Sequence, residues 1–187
     1  SSTAALTLNA SGANSSVVLN GAIGNTFAIG SLNASASNIT LNSGLVKSNA
    51  NQSYTGNVTL GLNTVLQSSG ANATIAMANS INSDSGASRI LNISATGAGS
   101  SVTLGGAVGA TNVLSQVDVT AGAIALNGGT LNATGNQTFT GAVTLGAGTT
   151  LTAANVTTTA NSTIKGAGNA LDIEGNLSLG GAVSNVS

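Results

Sequence analysis

Two observations predict an all-β chain wound as a parallel β-helix. The first is an internal repeat. Gln52-Ser-Tyr-Thr-Gly-Asn-Val-Thr-Leu-Gly61 returns further along the chain as Gln137-Thr-Phe-Thr-Gly-Ala-Val-Thr-Leu-Gly146. At the same offset Ile29 falls on Leu114, Leu32 on Val117, Ile39 on Ile124, and Val17-x-Leu19 on Val102-x-Leu104. Such a fixed internal period signals a solenoid, a propeller or an array. The second observation is apolar alternation with period two in very short groups, which is the signature of strands rather than helices.

The groups follow one another along the whole chain. They run Leu6-Thr-Leu8, Val17-x-Leu19, Phe27-x-Ile29, Ile39-Thr-Leu41, Val58-Thr-Leu60, Ile75-x-Met77 and Leu91-x-Ile93, then Val102-Thr-Leu104, Val117-x-Val119, Ile124-x-Leu126, Val143-Thr-Leu145, Leu171-x-Ile173 and Leu177-x-Leu179. In each, the aliphatic pair is expected to point inward and the residue between them outward. Gly and Asn gather between the groups, where turns need positive φ. A sandwich or barrel would show longer strands and clean two-residue hairpins. A propeller would show blade-sized repeats with aromatic signatures. Short strands that stack on counterparts one coil away fit the β-helix best, with about nine coils of roughly 20 residues. On this reading the chain is one solenoid segment: residues 1–24 end one cassette, 25–109 form a full cassette of four coils, and 110–187 form a shortened one. Tyr54 and Phe139 hold matching places and are read as core fillers at a corner.

Composition narrows the function. Charged residues make up 4% of the chain, the net charge is −1, and there is no His, Cys, Trp or Pro. Solubility must therefore come from Asn, Ser, Thr and Gly, while Leu, Ile, Val and Phe at about a quarter of the chain still allow a thin core. Three dispersed cations exclude a nucleic-acid partner, which requires clustered Lys or Arg. The apolar runs are far shorter than the roughly 20 residues that span a bilayer, so no membrane insertion is expected. The absence of cysteine and the polar uncharged surface suggest an extracellular or cell-surface location. The chain opens at Ser1 without Met, as a mature or excised piece would.

Catalysis has little to build on. Polysaccharide-cleaving β-helices need clustered carboxylates or a Lys, Arg or His base. Here Asp172 and Glu174 are the one close carboxylate pair, placed i, i+2 on the outward side of a strand. They are a weak Ca²⁺ candidate, and the plainer reading is two solvated acids. No enzyme activity and no cofactor are expected. Fourteen Asn-x-Ser/Thr sequons occur, with Asn38, Asn57, Asn72, Asn92 and Asn136 as candidate N-glycosylation sites. The competing reading is that alternating Asn, Ser and Thr make sequons automatically, and that stacked Asn side chains form ladders between coils. Thr40, Thr59, Thr103 and Thr144 hold equivalent strand places, which raises an ice-binding face. Thr-x-Thr, however, gathers around Thr138 and Thr157, a sparse array.

The blocks Asn51-Gln-Ser-Tyr-Thr-Gly-Asn-Val-Thr-Leu60 and Asn136-Gln-Thr-Phe-Thr-Gly-Ala-Val-Thr-Leu145, the second running on through Gly-Ala-Gly-Thr-Thr to Leu151, resemble repeats of the filamentous-haemagglutinin-like exoproteins of bacterial two-partner secretion. They are also similar to the β-strand repeats of autotransporter passengers. The resemblance implies a right-handed β-helical stalk, exported to the cell surface and working in adhesion, aggregation or biofilm matrix. It implies that host or bacterial glycans and proteins are met through other regions. The secretion domain of such exoproteins is not recognisable in this stretch, so a rigid spacer is the expected role. The alternative is a self-assembling filament or sheath subunit associating end to end, because the terminal groups read as ordinary coils without polar caps.

Overall fold

The computed structural model describes residues 3–187 and is built from parallel strands, with no helix among them. It is a β-solenoid of about eight turns, where about nine were expected. Every strand pairing is parallel and joins one coil to the next. Each coil has three faces, A, B and C. Coils 1 to 8 begin on face A at Leu6, Leu32, Gln52, Thr74, Ser101, Ala123, Ala142 and Thr163, and Val183 starts one more strand.

The inward positions form continuous columns. On face A, Leu8, Ala34, Tyr54, Met77, Leu104, Leu126 and Leu145 stack in register. On face B the column is Val17, Ile39, Val58, Ile81, Val108, Leu131, Leu151 and Ile173. On face C it is Ile23, Val46, Leu66, Ile93, Val119, Phe139, Thr158 and Leu179. Apart from Leu179, which is 43% exposed in the last coil, these residues are buried or half-buried, and the apolar ones form one core cluster. Alternation along each strand explains the pattern: within Gln52–Leu60 every second side chain is buried and those between are not. Each apolar pair therefore enters the core only because its neighbours one coil up and down do the same.

Coils differ in length. The separation between stacked residues is 19 from Asn136 to Asn155 and 27 from Thr74 to Ser101. The variation decides what the repeat means. Val58 lies on face B of coil 3, whereas its counterpart in the second copy, Val143, lies on face A of coil 7. Ile39 and Ile124, and Val17 and Val102, make the same step from face B to face A. The cassette thus spans three coils and two further faces, rather than the four coils the sequence suggested. Each sequence copy is laid down one face out of step with the first.

Corners explain how this is tolerated. At three places a two-residue corner sits against a one-residue corner in the next coil, which appears as register shifts after Ser35, Thr120 and Thr152. The one-residue corners are Gly56, Gly141 and Gly175, one at each edge of the triangular section. Gly56 has φ +147° and Gly141 φ +135°, and a Cβ there would lie 2.0 Å from the Ala36 carbonyl oxygen and 1.8 Å from that of Ala121. Only glycine fits. The same corner chemistry serves every edge, so a cassette can begin on any face. One expected strand is not formed: Phe27 sits in the excursion between Ile23 and Ile29 and is 85% exposed.

Candidate functional site

The most developed polar cluster is internal. Gln52 opens a strand immediately after a corner and turns its amide into the core, where it is fully buried. Its Nε2 donates to the carbonyl oxygens of Gln67 (2.6 Å) and Val46 (3.3 Å) and to Ser48 Oγ (3.1 Å). Tyr54 Oη donates to Gln52 Oε1 at 2.9 Å. Ser48 and Ser68 both donate to the Ala50 carbonyl. The cluster ties coil 2 to coil 3 at a corner, and burial pushes the Tyr54 hydroxyl well above the ordinary tyrosine range. Every polar side-chain atom in it has a partner, so it holds structure and offers nothing to a ligand.

Charge is organised at a different place. Leaving face B of coil 4, the chain makes an excursion through Asp84-Ser-Gly-Ala-Ser-Arg89. Arg89 grips Asp84 in a two-pronged pair, Nε to Oδ1 at 3.0 Å and Nη2 to Oδ2 at 2.7 Å. The Arg89 hydrogen bond holds the Asp84 carboxyl below the usual range, and the same bond raises Arg89. The excursion leans on a second one in coil 5: Thr111 N–H and Asn112 N–H both donate to Asn82 Oδ1, and Asn112 Nδ2 donates to the Ser83 carbonyl. Between the two lies an open cavity of about 350 Å³ bordered by Asp84, Ser88, Thr111 and Asn112. Strand alternation gives no hint of this pair. The available signal was an acid and a base flanking a Ser-Gly-Ala-Ser turn.

The carboxylates singled out from sequence lie where alternation placed them. Asp172 and Glu174 are exposed on face B of coil 8, stacked on Thr150 and Thr152 of coil 7. Thr152 Oγ1 donates to Glu174 Oε2 at 3.0 Å. No group of three or more His, Cys, Asp or Glu side chains converges among the described residues.

The candidate sequon residues are dispersed. Asn38 stacks on Asn57 at exposed positions of face B. Asn72 is exposed in a turn with φ 56°, Asn92 is half-buried on face C, and Asn136 is exposed there. Ladders between coils are present. Asn155 Nδ2 donates to Asn136 Oδ1 (2.8 Å) and Asn176 Nδ2 to Asn155 Oδ1 (3.2 Å), carrying one amide chain across three coils. Asn42 donates to Asn20 in the same way at 3.0 Å.

The threonines do not line up as the repeat implied. Thr40 and Thr59 stack on face B. Thr103 and Thr144 lie on face A, with Ala125 between them. The one-face step of the cassette separates them, so this expectation is corrected. The Thr-x-Thr pairs that looked sparse do meet: on face C, Thr138 stacks directly on Thr157, and Thr159 Oγ1 donates to Thr140 Oγ1 at 3.2 Å.

No protein-family model, no curated protein and no solved structure matches this chain.

Proposed function

We propose that the chain is a stalk segment of a bacterial surface adhesin or matrix exoprotein, acting as a rigid, non-enzymatic spacer outside the cell. The observation that carries this reading is the unbroken parallel pairing on all three faces together with the continuous inward columns. Such a body has a length set by its number of coils, roughly 4.8 Å for each. It offers proteases few mobile sites, and its cations at Lys47, Arg89 and Lys165 give trypsin only three positions. The location and the adhesin context rest on composition and on the resemblance of the Gln52 and Gln137 blocks.

The test is replacement. In the parent protein, this segment is exchanged for an unrelated β-solenoid of equal length, and adhesion of the cells is measured. A spacer tolerates the exchange and fails when whole coils are deleted. Loss of adhesion despite equal length would sink the spacer role and place a recognition function within this sequence. Sedimentation of the isolated chain separates the alternative: fibres at high concentration favour a filament subunit, and a persistent monomer removes it.

A further inference from the structure

Face C changes character towards the C-terminal half of the solenoid. From coil 5 to coil 8 its outward residues form successive rows: Asp118 and Thr120; then Asn136, Thr138 and Thr140; then Asn155, Thr157 and Thr159; then Asn176 and Ser178. The rows of coils 6 and 7 have identical composition. They stack without a register shift, Asn136 on Asn155 and Thr138 on Thr157. Parallel pairing sets the spacing between rows at about 4.8 Å, and the two-residue repeat sets the spacing within a row at about 6.7 Å.

Three properties distinguish this patch from the rest of the surface. It is regular, because the face C strand segments beneath it pair without a register shift. It is preorganised: the Asn136–Asn155–Asn176 amides and the Thr140–Thr159 hydroxyls hold one another, and threonine is stiff at χ1. Its rows in coils 6 and 7 are also uncharged, since no charged residue occurs between Asn136 and Thr159. One charge stands at its edge, Asp118 of coil 5, stacked directly on Thr138; Lys165 lies on face A, and Asp172 and Glu174 on face B.

We propose that this patch is an ice-binding surface, its ligand the ordered water of a crystal face rather than a solute. The chemistry follows from the array. Each Thr presents one hydroxyl, which exchanges hydrogen bonds with water, and one methyl, around which water orders itself. Repeated on a rigid grid whose two periods lie close to the spacings of oxygen rows on ice, the hydroxyls and methyls hold water in an ice-like arrangement at little entropic cost. Charged side chains would work against this, because each binds a hydration shell of its own. Face B is poorer on that ground: its stack of Thr150 and Thr152 ends on two acids, Asp172 and Glu174, against the single Asp118 at the edge of face C. Face A fails on regularity, with Ala125 and Lys165 interrupting Thr103 and Thr144.

The experiment is adsorption into slowly grown ice and inhibition of ice recrystallisation by the full chain. Thr157→Lys and Thr138→Lys are compared with Thr103→Lys on face A, and all variants are checked for unchanged melting. The unmodified chain and Thr103→Lys are expected to enter the ice and to keep crystals small. Either face C variant should require at least about tenfold more protein for the same effect, a loss of about 1.4 kcal/mol in binding. Should Thr157→Lys fail to fold, Thr157→Val keeps the methyl grid and is expected to retain adsorption. The proposal is overturned if the unmodified chain is excluded from ice, if Thr103→Lys is as damaging as the face C variants, or if the chain is retained on crystalline polysaccharide while leaving ice growth unchanged.

Discussion

The two copies of the corner cluster form a comparison within one molecule. In the first, Gln52 and Tyr54 lie on face A with Ser48 and Ser68 beside them. In the second, Gln137 and Phe139 lie on face C, and the positions of the two serines are taken by Ala133 and Ala153. Both glutamines do the same thing with their amide nitrogen: Gln137 Nε2 donates to the Leu131 and Thr152 carbonyls at 2.7 and 2.9 Å, the counterparts of Val46 and Gln67. Their oxygens differ. Gln52 Oε1 accepts from Tyr54, while Gln137 Oε1 is buried without a partner. The second copy has lost its hydroxyls but kept the amide, and an unpaired buried acceptor costs about 1–3 kcal/mol. The amide therefore holds the corner where the strand begins and the glycine four residues on holds the corner where it turns, and the aromatic hydroxyl adds stability to only one copy.

If the corner itself is common to both copies, breaking it should cost the same in each. Gly56→Ala and Gly141→Ala both drive a Cβ into a backbone carbonyl at positive φ. Each is expected to lose about 3 kcal/mol or more by denaturant unfolding. A large difference between them would mean that the copies are not equivalent at the backbone. The next effect separates them. Tyr54 is the sole tyrosine and its folded pKa is raised by burial, so its contribution is fully present below the ordinary tyrosine value and is lost as pH rises above it. Stability should fall by on the order of 2 kcal/mol between pH 10 and about pH 12. Phenolate absorbance should appear together with unfolding and not before it. In Tyr54→Phe this steep alkaline loss should vanish.

The aromatic exchange is sharper still, though smaller. Tyr54→Phe leaves Gln52 Oε1 without a donor and should cost about 1–2 kcal/mol, whereas Phe139→Tyr provides one for Gln137 and should stabilise by about 1 kcal/mol. Equal signs for the two substitutions would show that the second pocket cannot admit a hydroxyl. The smallest effect is expected outside both copies. Asp84 has a lowered folded pKa, so its pairing with Arg89 is fully present above the ordinary carboxylate value of about 4. It is lost as pH falls through the lower folded value, and melting curves should decline slightly there. Arg89→Gln should remove that acid slope and leave the alkaline one untouched.

Much of the architecture was legible. Alternation in Val58-Thr-Leu60 and its relatives placed the core residues correctly, because inward pointing is fixed by the strand's period of two. Burial of both aromatic rings was legible for the same reason. Phe27 misled, since an apolar residue two before Ile29 imitates a strand pair while the chain there bulges outward. Asp172 and Glu174 were placed correctly on an outward face. The Asp84–Arg89 grip was not seen, because it depends on the path of an irregular excursion that strand alternation does not describe.

The sequence by itself determined that this chain is a stack of short strands, which residues turn inward, and that its surface is nearly uncharged. Those properties are local, set by side-chain alternation and composition. The tertiary structure decided which faces the repeats occupy. The two copies look equivalent in sequence, yet coils of unequal length carry the second copy one face round the prism. That step scattered Thr40, Thr59, Thr103 and Thr144 over two faces, while a coil of 19 residues stacked Thr138 on Thr157 on a third. Stacking between coils depends on the summed length of everything wound between them, a quantity that no single strand encodes.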